Sequence, residues 1–309
     1  MKGVARIQKR ATATKRGSLL RHERNAAYVL ILPNVLGFLV FTLGPLLFSL
    51  VLSFYEWDML RPMQLVGPKN YQRLLFGDPR FRQVLRNTVL YVGLAVPFRT
   101  VLALTLAVAL NQGIRGTTFY RAAFYMPTVT SLVAVSLVWR WIFNPEYGIL
   151  NYGLTSIGIA NPPMWLLSRT WAMPAIAIMT IWYRAGYFMV IFLAGLQGIP
   201  EHLYDAAKVD GASAWGRFRH VTLPMLSPTT FFVIVMSIIA SFQIFTISLI
   251  MTEGGPAGAT ETIMLYLYRT GFEYFRMGYA SAVAWVFCLM IFALTFLQTR
   301  LQKSWVYAE

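Results

Sequence analysis

Apolar residues fill six long runs of the chain, and polar residues gather almost entirely between them. The runs cover roughly Tyr28–Phe54, Thr88–Leu110, Phe119–Phe143, Trp171–Leu193, Thr229–Met251 and Met277–Gln298. A helix rises about 1.5 Å per residue, so about 20 apolar residues cross the roughly 30 Å hydrocarbon core of a bilayer. No water reaches that core to bond the backbone, and a helix pairs its own N–H and C=O groups. The pattern predicts an all-α membrane protein with six transmembrane helices. One segment interrupts it: YDAAKVDGAS, Tyr204–Ser213, reads as a short, well-terminated helix between the fourth and fifth runs.

Composition agrees, since 57% of the 309 residues are hydrophobic and 13% charged, a balance no soluble domain of this size sustains. The net charge of +15 is then a statement about topology rather than about nucleic acid. Residues 1–27 carry eight Lys/Arg against Glu23 alone, which places this basic segment in the cytoplasm. Six spans (the domain 28–299) return the tail 300–309, with Arg300 and Lys303, to the same side. The external stretch 55–87 holds six Lys/Arg and runs against the charge rule. Its phrases GPKNYQRLL and DPRFRQ suggest a small folded segment. Asn144–Thr170 is rich in turn formers and is expected to pack over the outer mouth. Glu253–Arg276 forms the third external loop, opening with the flexible EGGPAG.

The loop at about 196–228 is therefore cytoplasmic. Pro200 suits the first turn of a helix, and Glu201 and Asp205 suit its positive end. Leu203, Ala206 and Ala207 form a narrow apolar face. Gly211 is a good helix stop, and Ser213 can cap a second helix ended by Leu223-Pro224. From the pattern alone the loop is either an amphipathic hairpin resting on lipid or a contact for another protein, whose backbone the alanines would let approach.

These residues carry a resemblance. Asp205-Ala206-Ala207, then Gly211, then Val221 and Leu223-Pro224 resemble the EAA loop of permease subunits of ATP-binding-cassette (ABC) importers, with Asp in place of the usual Glu. IFLAGLQGIPEHLYDAAKVDGASAWGRFRHVTLPMLSP as a whole is similar to the carbohydrate branch of that family. So are WRWIFNPEYGILN, MTEGGPAGATETIMLYLYRTGF and LILPNVLGFLVFTLGPLLFSLVLSFYEWD, so nearly the whole chain is covered. The resemblance implies the type I importer permease fold, with the loop as a coupling helix docked on a separate ATPase. It also implies a second, related permease subunit (a heterodimer), two ATP-binding subunits carrying ATP and Mg, and an extracytoplasmic solute-binding protein. The setting would be the plasma membrane of a bacterium or archaeon.

All 12 Asp/Glu lie outside the six runs, so an ion-coupled carrier, the rival class, lacks its usual intramembrane carboxylate. The chain has no GxxxxGK[ST], so ATP must be handled by a partner. The lone Cys288 and the dispersed His22, His202 and His220 offer no catalytic or metal constellation, and no cofactor is expected in this chain. Candidates for the solute path are polar residues at mid-span. Ser237, Ser241 and Ser248 follow helical spacing with Gln243 nearby, and Arg184 and Tyr187 are neighbours on a turn. Ser241 and Arg184 each lie roughly 20 Å from the inner ends of their helices, hence at one depth. The resemblance to the maltose-transporter member of the family points to the same level, through Trp182, Tyr183, Arg184, Tyr187, Ser237 and Ser241. Arg99 in the second run has no acid at its depth, and with Arg184 it raises an anionic solute, such as a glycerol phosphate, as an alternative.

Overall fold

The computed structural model describes residues 27–302. The predicted basic segment up to residue 26 and the tail from 303, with Lys303, lie outside the described residues. Helix α1 (Ala27–Leu52) is followed by a minimal antiparallel ribbon, β1 (Tyr55–Glu56) with β2 (Gln64–Leu65), and by a short helix α2 (Lys69–Gln72) that widens into a π turn over Arg73–Gly77. Next come α3 (Pro79–Leu110), α4 (Thr117–Val129), α5 (Leu132–Ile142) and α6 (Ile149–Ser156). The long α7 (Ala172–Gln197) leads into a hairpin of α8 (Glu201–Val209) and α9 (Ala214–Met225). The chain closes with α10 (Ser227–Phe242), α11 (Thr246–Thr252), α12 (Ile263–Tyr268) and α13 (Met277–Gln302).

Among the described residues four helices, α1, α3, α7 and α13, are long and apolar enough to cross a membrane, and the bent pairs bring the number to six. Two predicted straight runs are broken. Phe119–Phe143 turns by 96° between α4 and α5, where Thr130 and Ser131 are extended. The carbonyls freed at that corner find a partner, because the Tyr183 hydroxyl donates to Thr128 O (3.3 Å) and Thr130 O (3.0 Å). Thr229–Met251 stops at Gln243, and α11 resumes at Thr246. There Thr262 Oγ1 donates to Ile244 O at 2.9 Å. A hydropathy window cannot register such corners, because side chains from elsewhere satisfy the backbone.

The second run begins earlier than its apolar residues do. Asp78 caps α3, and Gln83 and Asn87, polar and loop-like in sequence, bond the 257–261 backbone instead: Gln83 Nε2 to Ala257 O, and Asn87 Nδ2 to Gly258 O and Glu261 O. The glycine-rich EGGPAG segment, expected to be flexible, is hydrogen-bonded to its surroundings. Thr260 Oγ1 donates to Gly255 O, and Arg269 Nη2 to Glu253 O.

The core is built on α3 against α7. Ala95, Ala103 and Ala107 on α3 and Ala175 and Ala185 on α7 are buried, and small residues let membrane helices approach closely. Phe188, Phe192, Leu196, Leu226 and Val233 fill one half; Phe143, Met173, Ile176, Met179 and Ile247 fill the other. Helices α4 and α7 cross closely at Gly186, where an added Cβ would lie 1.9 Å from Phe124 O. Helix α1 stands apart, with only 6% of its most apolar window buried.

Candidate functional site: a buried arginine clasp and a terminal hairpin

The hairpin is the best-defined surface feature. Pro200, at the cap position rather than within the first turn, precedes Glu201. Helix α8 ends where Gly211 adopts φ +77°, with Ala212 N–H donating to Ala207 O and Gly211 N–H to Lys208 O. This pair of bonds is the Schellman stop that glycine reaches cheaply. Ser213 Oγ accepts from Gly216 N–H and starts α9. Leu223-Pro224 does not end that helix. A π turn over Phe218–Thr222 widens the coil just before Pro224, absorbing its missing N–H, and the helix runs to Met225 before bending 65° into α10.

Leu203 and Tyr204 pack inward with Val221 and Met225, and the Tyr204 hydroxyl meets Thr222 Oγ1 at 3.0 Å. The two arms therefore brace each other. Outward stand Asp205, Ala206, Val209 (88% exposed), Trp215 (66%) and Leu223 (37%), while Ala207 and Pro224 are half-buried. The Lys208 ammonium, 2.9 Å from Asp205, holds that carboxyl below the usual aspartate range. Only Gly198–Pro200 separate this hairpin from α7.

In the interior, Arg99 of α3 is 1% exposed and spans to α10. Its Nε donates to Ser237 Oγ (3.0 Å); its Nη2 donates to Ser237 O (3.0 Å), to Ser241 Oγ (2.7 Å) and closely to Ser237 Oγ. Phe188 lies beneath the guanidinium, 5.3 Å from its ring centre. Among the described residues no carboxylate pairs with Arg99. Ser237 and Ser241 thus share a face, as their spacing predicts, but that face is turned to an arginine.

The other sequence candidates go to different places. Trp182 packs against Trp139 with its ring tilted (centroids 5.4 Å apart) and lines an apolar cavity of about 690 Å³ with Leu94, Phe98 and Ile178. Tyr183 is spent on the α4–α5 corner. Arg184 is half-buried with no carboxylate partner among the described residues, and Tyr187, also half-buried, packs edge-on to Phe188 at 5.1 Å. Gln243 is exposed at the α10–α11 break, beyond which buried Ser248 leaves the register of the other two serines. Arg140 donates to Ile250 O at 3.3 Å.

At the opposite end from the hairpin, sequence reasoning missed a second polar cluster. Glu261, 2% exposed, receives Arg80 at both oxygens (2.9 Å each) and Arg269 at 3.2 Å. Asp78 accepts at Oδ1 from Arg80 and Phe81 N–H, and at Oδ2 from the Tyr266 and Tyr279 hydroxyls. Burial pushes the Asp78 carboxyl up, but those donors outweigh it and hold it below the usual range. Burial and the neighbouring Asp78 push Tyr266 up to about 12.

An apolar multi-span bundle with a braced hairpin at one end and a polar platform at the other defines a membrane transport subunit. The chain belongs to the family "binding-protein-dependent transport system inner membrane component", whose pattern matches residues 81–307. It is a multi-pass permease subunit of an ABC importer, not an enzyme. The chain is 39% identical over 302 residues to the probable ABC transporter permease protein YesP of Bacillus subtilis (strain 168), covering 97% of each. It is 38% identical over 290 residues to the lactose transport system permease protein LacF of Rhizobium radiobacter, covering 92% of this chain and 96% of that one. In fold it matches the crystal structure of a bacterial ABC transporter that imports the acidic polysaccharide alginate, with TM-score 0.78 and 23% identity, over 90% of this chain and 95% of that one.

Proposed function

We propose that the chain forms one half of the translocation pathway of a carbohydrate importer (a sugar, oligosaccharide or polyol) in a bacterial or archaeal plasma membrane. Its termini and the hairpin face the cytoplasm. A related permease chain supplies the other half, two ATP-binding subunits dock on the two hairpins, and an extracytoplasmic solute-binding protein delivers cargo to the opposite end. The observation that carries this reading is the hairpin: a self-braced element, three residues from α7, that exposes Ala206, Val209 and Trp215. An exposed Val and Trp on a rigid helix pair suit a protein groove. The small Ala206 allows close approach, and Asp205 fixes register by charge.

In this mechanism ATP-driven closure of the partner subunits moves the hairpins, and the stiffness of the Gly211 and Ser213 caps conveys that movement to α7 and α10. The two halves then open alternately to either side. The known relatives include a lactose permease, which supports a carbohydrate cargo. Candidates to meet the cargo are Trp182, Arg184, Tyr187 and Gln243, the pathway residues whose side chains keep free surface. The test is affinity purification from native membranes of wild type beside Gly211→Pro, which cannot adopt the Gly211 backbone or make its N–H bond. A P-loop ATPase that comes with wild type and is lost or uncoupled in the variant supports the reading. Absence of any such ATPase, with solute moved by the chain by itself, refutes it.

Arg184 favours a second reading of the cargo as anionic, such as a glycerol phosphate, because it carries a mid-span charge with no carboxylate partner among the described residues. Arg99, engaged by two serines, lends that reading no direct support. Unchanged solute preference in Arg184→Gln would remove it.

A further inference from the structure

The external arginines run against the charge rule that otherwise orients the chain, and the structure gathers several of them. At the end of the bundle away from the hairpin, the first turns of α3 and α13 meet α12 around a cavity of about 200 Å³. Arg73, Arg80, Arg276, Asp78, Tyr266 and Tyr279 line it. The single carboxylate of that group is not open to a ligand, since both Asp78 oxygens are filled by backbone N–H groups and tyrosine hydroxyls. Arg80 is bound to Glu261 on its far side.

Arg73 and Arg276 remain. Among the described residues neither has a carboxylate partner, and the Arg73 guanidinium rests 5.4 Å from the centre of the Tyr279 ring. With Arg80 paired to Glu261 and Asp78 sealed by its donors, the two remaining arginines favour an anion, and guanidinium groups match the paired oxygens of phosphate. Its volume is below that of an ordinary small-molecule site, so it admits a headgroup fragment rather than an oligosaccharide.

The flanking residues in sequence indicate where that phosphate comes from. Phe76 (79% exposed), Phe272 (60%) and Phe275 (51%) are exposed next to lining residues, at the level where two spanning helices begin. Exposed phenylalanines there can lie against acyl chains while neighbouring arginines keep their charged ends among headgroups.

We propose that this pocket binds the phosphate of an anionic phospholipid in the adjoining leaflet, with Arg73 and Arg276 holding the phosphate oxygens and the phenylalanines lying along the acyl chains. Arg73 and Arg276 thereby have a role at the lipid surface that a count of charges for topology does not register. The proposal does not depend on the cargo or on the ATPase partner.

The test is native mass spectrometry of the complex purified through this chain, titrated with phosphatidylglycerol or phosphatidylcholine. Each arginine near a charged surface contributes about fivefold in affinity, so Arg73→Gln/Arg276→Gln is expected to weaken phosphatidylglycerol retention roughly twenty- to thirtyfold. Arg61→Gln, at the same end but outside the pocket, is expected to leave retention unchanged. Melting in lipid-free detergent checks that the double variant is folded, and Arg73→Lys/Arg276→Lys, which keeps the charge, is expected to recover part of the retention. Equal retention of phosphatidylglycerol by wild type and double variant overturns the proposal, as does equal retention of the two lipids by wild type. Displacement of the lipid by millimolar inorganic phosphate assigns the pocket to free phosphate. Loss of solute-binding-protein affinity with lipid retention intact assigns the arginines to that protein. Either result overturns the lipid assignment.

Discussion

The Arg99 clasp makes an asymmetric prediction. Its guanidinium is buried, without a carboxylate among the described residues, and depends on Ser237 and Ser241 for neutral acceptors. In Ser237→Ala/Ser241→Ala the charge stays buried while losing both hydroxyls, leaving the Ser237 carbonyl and the neighbouring Tyr91 hydroxyl. Hydrogen bonds to charged groups contribute about 1.5–3 kcal/mol each, and stranding a buried charge costs about 3–5 kcal/mol. Side-chain bonds within membranes run weaker, commonly about 1–2 kcal/mol. A cost of about 3 kcal/mol is therefore expected for the serine pair. Arg99→Met removes the charge along with its bonds, keeps most of the volume, and leaves hydroxyls that can donate to carbonyls one turn back. Its cost is expected to be within about 1 kcal/mol of zero, since apolar replacement of a buried charged set is often neutral. The triple variant should then resemble Arg99→Met, giving a coupling of about 2–3 kcal/mol in the cycle. The assay is unfolding of the purified chain in mixed micelles by increasing SDS, followed by helicity. If Arg99→Met costs as much as the serine pair and the effects add, the serines do not serve to satisfy the arginine.

Three further outcomes test other parts of the fold. Gly186→Val is expected to abolish monodisperse protein on size exclusion, because even its Cβ would sit 1.9 Å from Phe124 O and neither backbone can yield cheaply; normal yield would show that the α4–α7 contact is slack. Glu261→Gln leaves Arg80 and Arg269 facing a neutral amide and is expected to cost about 2 kcal/mol, below the range for a fully buried pair because Arg80 is 44% exposed; the same SDS titration measures it, and Arg80→Met in the same chain should recover part of the loss. Asp78 has a folded pKa below its unfolded value near 3.9, so its stabilisation is complete above about pH 4 and is lost as pH falls through the lower folded value. Asp78→Asn is expected to flatten that acid limb of stability against pH, and an unchanged limb would place the acid sensitivity elsewhere.

The sequence reports those features that one segment determines by itself. The apolar runs, the stop at Gly211 and the cap at Ser213 are local properties, and each is found where the residues indicate. Corners within a run are not local. The Thr130 break depends on Tyr183, 53 residues away, and the Ile244 break on Thr262. The candidate pathway residues show the same limit. Helical spacing correctly put Ser237 and Ser241 on one face, yet what that face meets is decided by Arg99, 138 residues earlier. Arg99 itself was visible as an anomaly, but a search for an acid partner could not find two serines. The Glu261 and Asp78 clusters were hidden because their members are scattered through two stretches that read as ordinary polar loops, with Tyr279 inside the sixth apolar run.

Helix α1 has a consequence of a different kind. Apart from its C-terminal end, where Trp285 Nε1 donates to Ser49 Oγ and Leu52 is buried, few of its residues are buried by the rest of the chain, yet in a bilayer that exposure carries no penalty, because lipid tails are as apolar as its side chains. It can enter the membrane and persist before any other segment has folded. Its residues are shaped by lipid and by neighbouring chains rather than by the core behind it. Substitutions along it before Ser49, short of charge at mid-depth, should pass unnoticed in the melting of the isolated chain and register only in how the assembled transporter is built.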